Sequence, residues 1–301
     1  MHQVSAFLIA AAILLAPQAA AAQGNPAADV AEAQKLLQSG DLPGALTLLQ
    51  RAVTAAPDSF DVRLALGRAL DLDGRHSAAR PHLEEAVKLA PDESRIGALT
   101  ALGISYAFQS KPDDAARYYQ RAFDAQVQAD NRSGAAGLAN ALGRIYLESG
   151  NLRKAQEWYT TGYETAKKIP AMSAAETALW EMRRYNALGR IAARRGDRKA
   201  ALEHAAAAKA LLDQGGNDNQ RAFYPYLLGY IAFFGKDYRQ AIEELTRGDL
   251  ADPFVLGMIA QSHQRLRQRD LAAEYYRKVM ATNVHSINSA FARPLARAFL
   301  R

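Results

Sequence analysis

The chain has 301 residues, 49% hydrophobic and 23% charged, with a net charge of +6. This balance excludes a disordered polypeptide, and the length admits one large domain or two. The absence of cysteine excludes a disulfide framework, a thiolate metal site, a cysteine nucleophile and a lipid-bearing cysteine.

In chain order, the first element is the apolar run Val4–Ala16, too short to cross a bilayer and followed by Pro17. The small residues Ala19–Ala22 permit cleavage after about Ala22. Together they predict a signal peptide over residues 1–22 and a periplasmic or secreted protein. The leader has only its α-amine and His2 as positive charge, so an uncleaved anchor is the alternative. Residues 23–28 read as a linker.

From residue 29 to residue 284 one spacing recurs. A Leu-Gly step precedes a large apolar residue by three positions at Leu66-Gly67, Leu102-Gly103 and Leu142-Gly143, and recurs at Leu188-Gly189 and Leu228-Gly229 with Ala192 and Ala232 in the large position. After a turn, an anchor alanine follows at positions 45, 79, 115, 155, 201, 241 and 272. Four residues beyond each anchor lies Leu49, Leu83, Tyr119, Tyr159, Ala205, Leu245 or Tyr276. Small residues at two helical positions let neighbouring helices approach, and large ones beside them fill the volume. The turns carry their own signals at Gly40-Asp41, Gly74, Gly150-Asn151, Gly196-Asp197 and Gly235-Lys236-Asp237.

This pattern resembles the tetratricopeptide repeat, over about residues 26–284. The anchor intervals are 34, 36, 40, 46, 40 and 31, so the middle units carry extra residues, Asp130–Ala136 and Met172–Glu181, that lengthen their first helices. The resemblance implies an all-α, right-handed α-α superhelix of about seven helical hairpins. Residues 285–301 form a C-terminal capping helix, with Leu295 and Phe299 on one side and Arg293, Arg297 and Arg301 on another.

In such arrays the first helices line a concave groove, and the groove-facing positions lie between the packing residues. Mapped onto this chain, they select one pentapeptide that occurs twice, Asn140-Ala141-Leu142-Gly143-Arg144 and Asn186-Ala187-Leu188-Gly189-Arg190. Arg183 and Arg194 extend the second stripe at helical spacing. Carboxamides suit an extended peptide backbone, and guanidinium forks suit carboxylates. The groove residues are therefore Asn140, Arg144, Arg183, Asn186, Arg190 and Arg194, with Tyr226 and Tyr230 as aromatic anchors beside them. Phe234 reads as packing. The same arginines also read as a solvated face copied by repeat duplication.

The partner these residues imply is a protein or peptide, acidic in character, and not nucleic acid. A membrane surface or a cell-wall polymer is a further option. No cofactor or metal is expected, since the six histidines show no ligand cluster in sequence. The repeats occupy nearly all of the chain after the leader, so a non-catalytic interaction scaffold is expected. The alternative is an assembly factor for an envelope complex, acting through self-association or its outer surfaces.

Overall fold

The computed structural model describes residues 25–301; the expected signal peptide lies outside the described residues. These hold fifteen α-helices and no strand. Seven antiparallel hairpins follow one another: α1 (Pro26–Ser39) with α2 (Leu42–Ala55), α3 (Phe60–Asp73) with α4 (His76–Leu89), and α5 (Arg95–Phe108) with α6 (Pro112–Gln128). Then come α7 (Arg132–Glu148) with α8 (Leu152–Ala166), and α9 (Ala174–Arg194) with α10 (Arg198–Asp213). The last two are α11 (Phe223–Phe234) with α12 (Tyr238–Thr246), and α13 (Pro253–Arg265) with α14 (Arg269–Ala281); α15 (Ile287–Leu300) closes the array. Helix α1 begins inside the stretch read as a linker, because Asn25 caps the amides of Ala27 and Ala28 and Pro26 starts the first turn.

The hairpin turns reuse one device. Gly40, Gly150 and Gly196 end a first helix in the left-handed region (φ 93°, 87° and 81°), and Asp41, Asn151 and Asp197 then cap the second helix. In unit six the device slips by one residue. Gly235 keeps a helical φ of −75°, and Lys236 takes the left-handed conformation instead, at φ 63°.

The Leu-Gly step has a steric explanation. A Cβ on Gly67, Gly103, Gly143 or Gly229 would lie 2.6, 2.7, 2.7 or 2.5 Å from Leu83, Tyr119, Tyr159 or Leu245. These are the large residues four positions after the anchor alanines, so glycine lets each hairpin close onto its bulky partner. The anchor alanines are fully buried. The extra residues of the middle units lengthen α7 to 17 residues and α9 to 21.

The array winds far enough for its end to return to its beginning. Helix α15 packs on α13 and α14 and crosses to α5, reaching α7. Of the arginines expected on a side of their own, Arg293 and Arg297 form the docked face, while Arg301 stays exposed. Arg293 is 2% exposed, whereas Leu295 is 46% exposed. The cause lies at the last turn of α3, where carbonyls have no helical partner. Arg293 donates to the Leu72, Met280 and Thr282 carbonyls, and Arg297 donates to those of Leu72 and Asp73.

Candidate functional site

On the inner side of units four and five the chain leaves a cavity of about 310 Å³. Asn140 and Arg144 reach it from α7, Arg183, Asn186 and Arg190 from α9, and Gln220 from the loop before α11. No carboxylate lines it. Helical spacing explains the alignment: Asn140 and Arg144 stand one turn apart, as do Asn186 and Arg190. Gly162 on α8 gives Asn140 its room, since a Cβ there would meet Asn140 Oδ1 at 2.7 Å.

Arg190 is 6% exposed and donates from Nη2 to Tyr159 Oη at 3.0 Å. Arg144 donates from Nη1 to Tyr226 Oη at 3.1 Å and lies 4.2 Å above the Phe254 ring. Its Nε is 3.3 Å from Glu148 Oε1, but without hydrogen-bond alignment. Burial opposes the charge on Arg144; Tyr226 and Glu148 outweigh it, and the pKa is raised. Burial raises the phenol pKa of Tyr159, against the pull of Arg190 and Arg144. Both guanidiniums are therefore charged and the Tyr159 phenol neutral at physiological pH.

The structure thus brings five of the eight residues read from the sequence to one cavity and separates the other three. Arg194 is drawn away by the end of α7, where its Nη2 donates to the Leu147 and Glu148 carbonyls. It borders a second, central cavity of about 580 Å³, lined also by Phe233, Phe234, Phe254 and Phe291. Tyr226 and Tyr230 do not present themselves to a partner: they are 7% and 0% exposed. The winding of the array presses α11 against α9 and α13, and the two rings pack edge to face, 6.1 Å apart. Phe234, read as packing, packs against the core with its ring 4.7 Å from that of Tyr230, and it also lies under Arg194 at 4.7 Å where it borders the central cavity.

Two contributors escaped the sequence reading. Tyr159 occupies a packing position of the repeat, which three other units fill with leucine and two with tyrosine, so its residue type alone did not mark it as a partner for Arg190. Gln220 sits in a connection that carries no repeat signal. The histidines, scattered in sequence, do converge. His76 and His285 both meet Asp71, 3.0 and 2.9 Å away, with Ser105 Oγ donating to the same carboxylate at 3.0 Å. Among the described residues no group has the arrangement to hold a metal ion.

Stacked helical hairpins with glycine-mediated closure define an α-helical repeat solenoid. Two tetratricopeptide-repeat models match the chain, one over residues 36–102 and one over residues 94–168. Residues 36–168 thus carry tetratricopeptide repeats, a motif that serves in protein-interaction scaffolds. Among solved structures it is similar to a tetratricopeptide repeat protein from Parabacteroides merdae, with 12% identity and a TM-score of 0.51, over 91% of this chain and 97% of that one. It is also similar to nearly identical TPR-like repeats from Podosopora anserina, with 18% identity and a TM-score of 0.53, over 64% of this chain and 96% of that one. Against a chain of the APC/C hetero-tetramer Cut9-Hcn1, with 20% identity and a TM-score of 0.45, 90% of this chain aligns and spans 48% of that one. At these identities the likeness shows the fold alone. No curated protein matches the chain.

Proposed function

We propose that the chain is a non-catalytic scaffold that holds an acidic polypeptide segment against the inner face of units four and five. One observation carries this reading: the cavity there is lined by Arg144, Arg183, Arg190 and three carboxamides and by no carboxylate. The carboxamides match the donors and acceptors of a peptide backbone, and the guanidiniums match acidic groups along it. Arg183 is exposed at the cavity rim, where an approaching acidic segment meets it first. The export reading of Val4–Ala16 places this activity in the periplasm or outside the cell.

The test is affinity capture from a periplasmic extract with the wild type and with Arg183→Glu/Asn186→Ala. These side chains are exposed and half-buried, so the double variant keeps its helicity. Captured acidic polypeptides are expected to be lost with the variant and released by moderate salt. Equal capture by both proteins would remove the assignment. Light scattering tests the self-association arm of the assembly alternative, which requires a self-associated wild type.

A further inference from the structure

Antiparallel hairpins place their internal turns at one edge of the array and the connections between units at the other. The two edges treat their cations differently. At the connecting edge Arg95 pairs with Asp92, Arg132 with Asp130, Arg221 with Asp218 and Arg247 with Glu244. At the turns of units five to seven stand Arg198 and Lys199, Lys236 and Arg239, and Arg267 and Arg269. All six are exposed, and among the described residues none forms an ion pair. Arg198 donates only to the neutral Gln240, at 3.2 Å, so the turns of units five and six form one continuous surface. The acids of these turns are Asp197 and Asp237, which cap α10 and α12, and Asp270. Four of the cations, Arg198, Lys199, Arg239 and Arg269, lie in the first turn of a second helix, where the helix dipole favours acids. Unit three follows that preference with Asp113 and Asp114. Helix stability therefore gives no reason for cations at these positions. Apolar side chains stand among them: Leu271 is 42% exposed in the first turn of α14, and exposed Leu295 borders the central cavity beside Lys111 and Arg265.

We propose that the turn edge of units five to seven is a docking surface for an anionic lipid bilayer, with the six cations meeting lipid phosphates and Leu271 entering the boundary between headgroups and acyl chains. Unpaired cations project their field into solvent, whereas a cation beside an acid is neutralised locally. Cations interleaved with exposed apolar side chains are the composition that sits at a charged membrane interface. The cations belong to separate units along a broad edge and line no common groove. That arrangement suits laterally mobile headgroups, which adjust to the protein, better than a ligand of fixed shape. The edge is separate from the inner face of units four and five, and the inference does not rest on the acidic-polypeptide reading.

The experiment is sedimentation of the full chain, after leader removal, with vesicles of phosphatidylcholine alone and of phosphatidylcholine and phosphatidylglycerol in equal parts. Lys199→Glu/Arg239→Glu/Arg269→Glu reverses one cation per unit and puts acids where the helix dipole favours them, so thermal stability should hold. Lys88→Glu/Arg95→Glu/Arg221→Glu changes the net charge equally, using exposed cations that already have acid partners. The wild type should bind the anionic vesicles and not the neutral ones. Each cation at an anionic surface contributes about fivefold to partitioning, so the turn-edge variant should lose about a hundredfold or more and the paired-cation variant much less. Leu271→Ala should lose about threefold or more with no change of charge. Absence of wild-type binding to the anionic vesicles, or equal losses in the two triple variants, would overturn the proposal. Polyglutamate or a DNA oligonucleotide bound as tightly as the vesicles, with Leu271→Ala unchanged, would also overturn it by assigning the edge to a soluble polyanion. If the turn-edge variant does not fold, its three single reversals decide, and unchanged partitioning in all three overturns the docking surface.

Discussion

His285 Nε2 donates to a carboxylate oxygen of Asp71 at 2.9 Å, joining residues 214 apart in sequence. The bond ties the start of the C-terminal segment to the last turn of α3, and thus the last unit to the second. Asp71 is 1% exposed and accepts as well from His76 and Ser105. Burial alone would raise its pKa, but the donors His285 and His76 bring it below the ordinary 3.8. Burial lowers the pKa of His285 below 6.5, with Asp71 opposing. The two directions describe one state, an ionised Asp71 accepting from a neutral His285.

The closure should therefore weaken in mild acid. A histidine whose folded-state pKa is depressed binds more protons when released, so its stabilisation is full above about pH 6.5 and declines as the pH falls below it, by at most about 1.4 kcal/mol per pH unit. Asp71 adds a loss only below its own depressed pKa, under 3.8. The cationic neighbour Arg68 works in the same direction, disfavouring a protonated His285. The chain has no cysteine, so paired labels at Arg95→Cys and Arg301→Cys can report the docking of α15 by energy transfer. Transfer should fall between pH 7 and pH 5 in the wild type and stay flat in His285→Gln, which keeps a donor and cannot titrate. Parallel pH profiles would exclude His285 as the cause.

Arg293→Met should undock α15. The side chain donates to three carbonyls from two ends of the chain, and burial lowers its pKa to about 10 without discharging it at neutral pH. Loss of the three bonds, partly offset by removal of a buried charge, should cost about 3 kcal/mol in urea denaturation. Arg301→Met, fully on the surface, should stay within about 0.5 kcal/mol. Equal effects would show that the carbonyl contacts contribute nothing.

Two glycines of α7 should respond with opposite signs. A Cβ at Gly143 would lie 2.7 Å from the Tyr159 ring, so Gly143→Ala should destabilise by about 1–3 kcal/mol. Because Tyr159 Oη holds Arg190, the same change should weaken acidic-peptide binding. Nothing lies within 4 Å of a Cβ at Gly137, where alanine should stabilise the helix by about 1 kcal/mol. Thermal melts of the two variants decide it, and a stable Gly143→Ala would mean that the hairpin can relax around the ring.

Lys236→Gly should raise stability by up to about 1 kcal/mol, because Lys236 holds a left-handed φ of 63° that glycine adopts without the Cβ penalty. A lowered melting temperature would show that the lysine stem contributes more packing than the backbone loses.

How much of this was legible in the residues depends on the range of the interaction. The hairpins were, since glycine steps, anchor alanines and Asp/Asn caps act within one or two helices. The alignment of Asn140 with Arg144, and of Asn186 with Arg190, was legible for the same reason. The burial of Tyr226 and Tyr230 was not, nor was the departure of Arg194, because both follow from contacts between units. Arg144 meets Tyr226 across 82 residues, a separation that no local spacing encodes.

The sequence by itself determined the repeat, its turns and the cationic, carboxamide-rich face of units four and five, because helical periodicity fixes which residues share a face. Only the tertiary structure decided that Arg144 and Arg190 of this face are buried against the hydroxyls of Tyr226 and Tyr159 while Arg183 stays exposed. It also decided that Arg293 and Arg297 dock inward onto α3. Superhelical winding is the sum of small rotations at each interface between units, and that sum brings distant carbonyls, phenols and guanidiniums together.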